Sequence, residues 1–147
     1  DGEDTSVTVT VERVFDLSLP IEEVWAFISD PENRARSIQF VDEYQIDGDE
    51  ATWYVKIPVR FLNRRITVET RDVDRDPPHY VRFVGKSKVM RVQGEHTVEP
   101  TENGTRLVNR FVVDGRVPGV ERFFEKNLDS ELDNLEQAIR EYLDIHR

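Results

Sequence analysis

Phe15-Asp-Leu-Ser-Leu-Pro20-Ile-Glu-Glu-Val-Trp25-Ala-Phe-Ile-Ser-Asp30-Pro-Glu-Asn33 decides how this chain folds. It opens on the end of an alternating run: Val7, Val9, Val11, Phe15 and Leu17 share one parity, with Thr8, Thr10 and Glu12 on the other. A period of two predicts a half-buried strand. Pro20 then suits the first turn of a helix, and Glu22 and Glu23 complement its dipole. Ile21, Val24, Trp25 and Ile28 supply that helix's apolar stripe. Asp30 caps a second short helix led by Pro31 and running to about Ser37.

Beyond this stretch the chain reads as strands separated by turn signals. Phe40–Ile46 precedes the Asp47-Gly48-Asp49 turn. Thr52–Val59 alternates with Trp53, Val55, Ile57 and Val59 on one face, and a turn is expected near Leu62-Asn63. Arg65–Asp74, Tyr80–Gly85, Val89–Glu99 and Thr105–Asp114 follow, which makes seven strands in one antiparallel sheet of consecutive neighbours. From Val120 to about Leu143, Phe124, Leu128, Leu132, Leu135, Ile139 and Tyr142 recur at helical spacing. Burying each Leu or Ile contributes about 1.5–3 kcal/mol, so this amphipathic helix must dock on the sheet. The fold class is α+β.

Composition narrows the partners. At 147 residues the chain is expected to form one domain over 1–147, with residues 1–6 frayed. Thirty acidic against 20 basic residues give a net charge of −10, which repels phosphate backbones and argues against nucleic acid. The basic residues are 16 Arg and only four Lys. An acid-rich, Lys-poor surface points to a halophilic, haloarchaeal-type protein whose self-repulsion is screened by salt. No apolar run nears the length needed to span a bilayer and no leader pattern is present, so a cytoplasmic protein, monomeric or weakly dimeric, is expected. With no cysteine and only three scattered histidines (His79, His96, His146), neither a metal site nor a cofactor is expected.

The order strand, two short helices, six strands, long helix resembles the START-like superfamily with its helix-grip fold. The resemblance rests on Phe15-x-Leu17-x-x-Pro20-x-Glu22-x-Val24-Trp25, on Asp30-Pro31-Glu32-Asn33, and on the Gly94–Pro100 to Gly104–Arg106 hairpin. Nearly the whole chain is covered. The polyketide cyclase/dehydrase-like group, which includes an accessory component of carbon monoxide dehydrogenase, is the nearest in character. The resemblance implies a cavity between the concave face of the sheet and the last helix, usually for a lipid, isoprenoid or polyketide-like ligand. It does not imply a reaction.

Strand parity nominates the lining. In the sixth strand Met90, Val92, Gly94, His96 and Val98 share a face, which places His96 among apolar side chains. It serves either as a polar anchor or general base, or as a core histidine bonded to a neighbour. Asn109 lies among Leu107, Phe111 and Val113 on the adjacent strand, so the two either orient a ligand or satisfy one another. Trp53, Val55, Val92, Phe111, Phe124 and Leu128 complete the expected ligand-binding surface, with Asn127 and Glu131 on the helix stripe's flank. Arg13 shares the parity of the inward valines and sits either in the cavity or at its rim; burial without a partner would be costly.

Three functions follow from these residues. The first is binding or transport of a hydrophobic small molecule. The second is a cyclase/dehydrase-like enzyme with His96 as general base. The third is an accessory protein-interaction module, resembling the carbon monoxide dehydrogenase component. No G-x-S-x-G elbow, P-loop or G-x-G-x-x-G occurs, and no carboxylate pair stands out. A dry void of ~300 Å³ would cost ~7 kcal/mol. Against a net stability of about 5–15 kcal/mol, the cavity is expected to be hydrated, ligand-filled, or occupied by Trp25, Trp53, Phe83, Phe111 and Phe124.

Overall fold

A computed structural model describes residues 7–57 and 65–145. Residues 1–6, Val59, the Leu62-Asn63 turn and His146 lie outside the described residues. Within them β1 (Val7–Leu17) leads into α1 (Ile21–Ile28) and α2 (Pro31–Arg36), and α3 (Val120–Ile145) ends the chain. Between the helices lie β2 (Val41–Asp47), β3 (Glu50–Lys56), β4 (Arg65–Asp76), β5 (Tyr80–Lys86), β6 (Met90–Thr101) and β7 (Gly104–Gly115).

The seven strands form one antiparallel sheet in the order β1-β7-β6-β5-β4-β3-β2. Strands β1 and β2 are neighbours in sequence yet stand at opposite edges, so α1 and α2 must cross the sheet to join them. Asp30 caps α2 by accepting from the Glu32 N–H at 2.9 Å, as its position before Pro31 requires. Thr105 at the start of β7 ties the β1–α1 connection down by donating its hydroxyl to the Leu19 carbonyl at 2.7 Å.

Of the stripe that the helical spacing predicted, Phe124, Leu128, Leu132, Leu135 and Ile139 of α3 are buried and Tyr142 is partly buried, and Val120 is buried at the helix start. They close over the inward residues of the strands, among them Phe15, Leu17, Trp53, Val55, Val68, Phe83, Val92, Leu107 and Phe111. The result is a helix-grip fold whose core is the space between sheet and helix. Two irregularities matter for that space. Register shifts near Val41 in β2 and between Asp72 and Asp74 in β4 bend the ladder where α2 packs.

Candidate functional site: an apolar cavity under the last helix

The interior retains a cavity of about 30 Å³, room for roughly one or two water molecules. Trp53, Phe83, Met90, Val92, His96, Phe111 and Val113 wall it from the sheet. Phe124, Leu128, Glu131, Leu132 and Leu135 wall it from α3, with Arg34, Ile38 and Phe40 at the α2 end. Aromatic rings occupy much of the space between. Phe83 meets Trp53 and Phe111 edge-on at centroid distances of 5.6 and 6.2 Å, and Phe40 meets Phe124 at 5.2 Å. Of the rings expected to fill the cavity, Trp25 is the exception: it lies beneath the Arg75 guanidinium, 5.7 Å from its ring centroid, and is no part of this wall.

His96 is fully buried. Its Nδ1 lies 2.8 Å from Asn109 Oδ1, in a cross-strand pair set by the β6–β7 register. Asn109 Nδ2 donates to the Arg13 carbonyl of β1 at 3.4 Å, which fixes the amide with its oxygen toward the ring. An amide oxygen only accepts, so Nδ1 carries the proton and Nε2 keeps a free lone pair. Burial, with the nearby Arg34 charge adding to it, pushes the imidazole pKa down from 6.5 to about 3 despite the bond to Asn109. The ring is therefore neutral at physiological pH.

Of the residues nominated by parity, Trp53, Val92, His96, Phe111, Phe124 and Leu128 line this cavity. Asn109 stands behind His96 rather than in the wall, and Val55 is buried in the adjoining core. Arg13 is not in the cavity. Its guanidinium reaches α3 and pairs with Asp133 at 2.6 Å and with Asp129 at 3.8 Å, and its side chain remains 31% exposed. That is the rim position, and the reason is charge: α3 offers two carboxylates outside, where the interior offers none to spare.

Of the charged wall residues, one escaped the sequence reading, and another was placed only on the stripe's flank. The first, Arg34, is buried among Phe83, whose ring its guanidinium overlies at 5.2 Å, the Ile28 carbonyl at 3.2 Å, and the Asp72 carboxylate. Burial pulls its pKa below the usual value and the Asp72 charge opposes this. Asp72 shares the inward parity of Ile66, Val68 and Thr70, a signal that a buried cation would be found opposite it. The second, Glu131, accepts from the Gln39 backbone N–H at 2.6 Å and from Asn134 Nδ2 at 3.1 Å, clamping the α2–β2 connection to α3. Burial raises its carboxyl pKa, with those hydrogen bonds opposing.

Among the described residues no group of three His, Asp or Glu side chains could hold a metal ion, and no helix is long and apolar enough to cross a membrane. A sheet closed by one long helix over an apolar cavity defines the START-like class. The chain belongs to the polyketide cyclase / dehydrase and lipid transport family, which it matches over residues 6–140.

Solved structures share the fold at low identity. The ZhuI aromatase/cyclase from Streptomyces sp. R1128 superposes with a TM-score of 0.69 at 15% identity, covering 90% of this chain and 92% of that one. A START superfamily protein from Mycobacterium smegmatis gives 0.69 at 14% identity, covering 97% and 99%. A protein from Rhizobium leguminosarum gives 0.69 at 17%, covering 93% and 97%. No curated protein matches this sequence.

Proposed function

We propose that this chain is one ligand-binding domain, a noncatalytic carrier or sensor for a hydrophobic small molecule in the cytoplasm. The observation that carries this reading is the apolar cavity held between the sheet and α3. Ligand pockets commonly measure about 300–1,000 Å³, so a cavity of about 30 Å³ is a closed state. Opening falls to the side chains of Ile38 and Phe40, on the short connection whose Phe40 carbonyl accepts from Lys56 N–H of β3 at 3.1 Å, and of Phe124 on α3. Binding then includes the work of opening, and a ligand that completes it stabilises the whole fold.

The two rival functions fit less well. A general base works best with a pKa near the operating pH, and His96 at about 3 is a weak one. An exposed apolar patch of a few hundred Å² would favour an interaction module. Among the described residues Val14 is the only exposed large hydrophobic.

Native mass spectrometry of the protein from its own source, followed by solvent extraction, tests the carrier reading. A stoichiometric apolar adduct is expected. A ligand at about 100 times its Kd should add about 2.7 kcal/mol, raising Tm by roughly 5–10 °C. A bare mass after incubation with lipid extract, with Tm unmoved across lipid, isoprenoid and polyketide-like panels, overturns it. We also propose that the acidic surface is a halophilic adaptation. Stability should then climb between low and molar salt, and a flat response removes that idea.

A further inference from the structure

The residues that wall the cavity are buried with two exceptions, Ile38 and Phe40, which are partly exposed. At these two the same side chain faces the cavity and the surface, so the wall is thinnest there. Both stand on the strap that joins α2 to β2, with Gln39 exposed between them.

The strap is fastened at both ends. Ser37 donates its hydroxyl to the Asn33 carbonyl at 2.6 Å, and the Ile38 N–H donates to the Ala35 carbonyl at 3.3 Å, which ties one end to α2. At the other end the Phe40 carbonyl is held by the Lys56 N–H of β3. What can part is the seam between the strap and α3. Across that seam the Phe40 ring meets those of Phe123 and Phe124 edge-on, at 5.9 and 5.2 Å, and the Gln39 N–H donates to Glu131 at 2.6 Å. Asn134 Nδ2, one turn along α3, steadies the same carboxylate from outside the wall at 3.1 Å. A carboxylate only 7% exposed is a costly seal where a leucine would close the seam by packing alone. A hydrogen bond, however, weakens steeply as it lengthens or bends, so this seam is either fastened or free.

Building on the reading that the cavity binds an apolar molecule, we infer that the seam between the strap and α3 is the entrance, and that Glu131 is the clasp that holds it shut in the free protein. A cavity of about 30 Å³ takes no such ligand while the seam is fastened, so the bound state has the Gln39–Glu131 bond broken. The clasp therefore opposes binding. Apparent affinity is reduced by the fraction of protein that is open, so weakening the clasp tightens the ligand even as it loosens the free fold.

The test titrates three uncharged probes, N-phenyl-1-naphthylamine, farnesol and dodecanol, into the full chain by fluorescence or calorimetry. Glu131→Gln keeps the size of the side chain and removes the charge that strengthens the bond. It should lower the Tm of the free protein yet bind the probes about tenfold tighter. Asn134→Ala acts on the clasp from outside the wall, where it cannot touch the probe, and should tighten binding by about threefold. Should neither variant fold, hydrogen exchange on the unaltered protein decides: the Gln39 amide should exchange faster with probe bound than without, while ladder amides of β6 slow. Unchanged or weaker binding by both variants, or a Gln39 amide better protected in the complex, overturns the clasp and leaves ligand binding intact. If no probe binds the unaltered chain or either variant, ligand binding itself falls and the clasp with it.

Discussion

Gly94 offers the sharpest test of how the rings pack. It sits in β6 opposite Phe83 of β5 and Phe111 of β7, on extended backbone that any residue adopts. A Cβ at this position would lie 2.2 Å from Phe83 Cε1 and 2.6 Å from Cζ. Ordinary contact begins at 3.4 Å, so the ring must retreat by roughly 1 Å. Trp53, Phe111 and Arg34 hem it in, and the small cavity is the slack available. Overpacking of this kind costs about 1–3 kcal/mol. Replacing glycine returns about 0.4–1 kcal/mol by restricting the unfolded chain. Gly94→Ala should therefore lose about 1–2 kcal/mol in urea denaturation and lower Tm by roughly 2–8 °C. Combined with Phe83→Leu, which vacates the space, the loss should be smaller than the sum of the two single changes by at least about 0.5 kcal/mol. An alanine variant as stable as the parent, or strict additivity with Phe83→Leu, would refute the close approach of ring to backbone.

Three further outcomes follow from the charges. Asp72→Asn strands the buried Arg34 guanidinium and should cost about 3–5 kcal/mol in chemical denaturation, whereas Arg34→Met combined with Asp72→Leu should cost less than either change alone; a mild Asp72→Asn contradicts the burial of the pair. Because the His96 pKa is depressed from 6.5 to about 3, the unfolded chain takes up the proton first on acidification. The stability from the neutral ring is whole above pH 6.5 and drains away as pH falls toward 3, reaching about 2 kcal/mol of loss at pH 5. NMR should show a neutral His96 ring from about pH 8 down to 5, and titration near 6.5 would count against its environment. Arg13→Ala, which breaks a partly exposed pair with Asp133, should cost at most about 1 kcal/mol, less in molar salt, and leave ligand affinity alone; a loss of affinity would return Arg13 to the cavity.

Where a residue's fate depends on strand parity or on the period of the long last helix, the sequence was enough, whereas in the eight-residue α1 it named Trp25 and passed over the buried Phe27. The alternation of Met90 to Val98 and of Leu107 to Val113 brought His96 and Asn109 to one face, and the spacing from Phe124 to Ile139 defined the covering helix. Arg34 escaped, and Glu131 was only half legible, because their burial comes from the other elements they meet. Arg34 occupies a six-residue helix too short to show a period, and it goes inside only because Asp72 arrives from β4. Glu131 flanks an otherwise apolar stripe and is drawn in by the backbone of Gln39. Cavity size was equally out of reach, since it turns on where rings such as Phe83 and Phe40 come to rest, not on which residues face inward.

Pairing of the first strand with the last has a consequence for biogenesis. Val7 pairs across to Gly115 and Leu17 to Thr105, so β1 finds its ladder partner only after the strands between have been made. At about 5–20 residues per second, the N-terminal strand waits on the order of 5–20 s with Phe15 and Leu17 uncovered. Closing so long a loop is also intrinsically slow. The sheet therefore lacks this edge until β7 has been made, and a chaperone that shields β1 during that interval should raise the yield of folded chains.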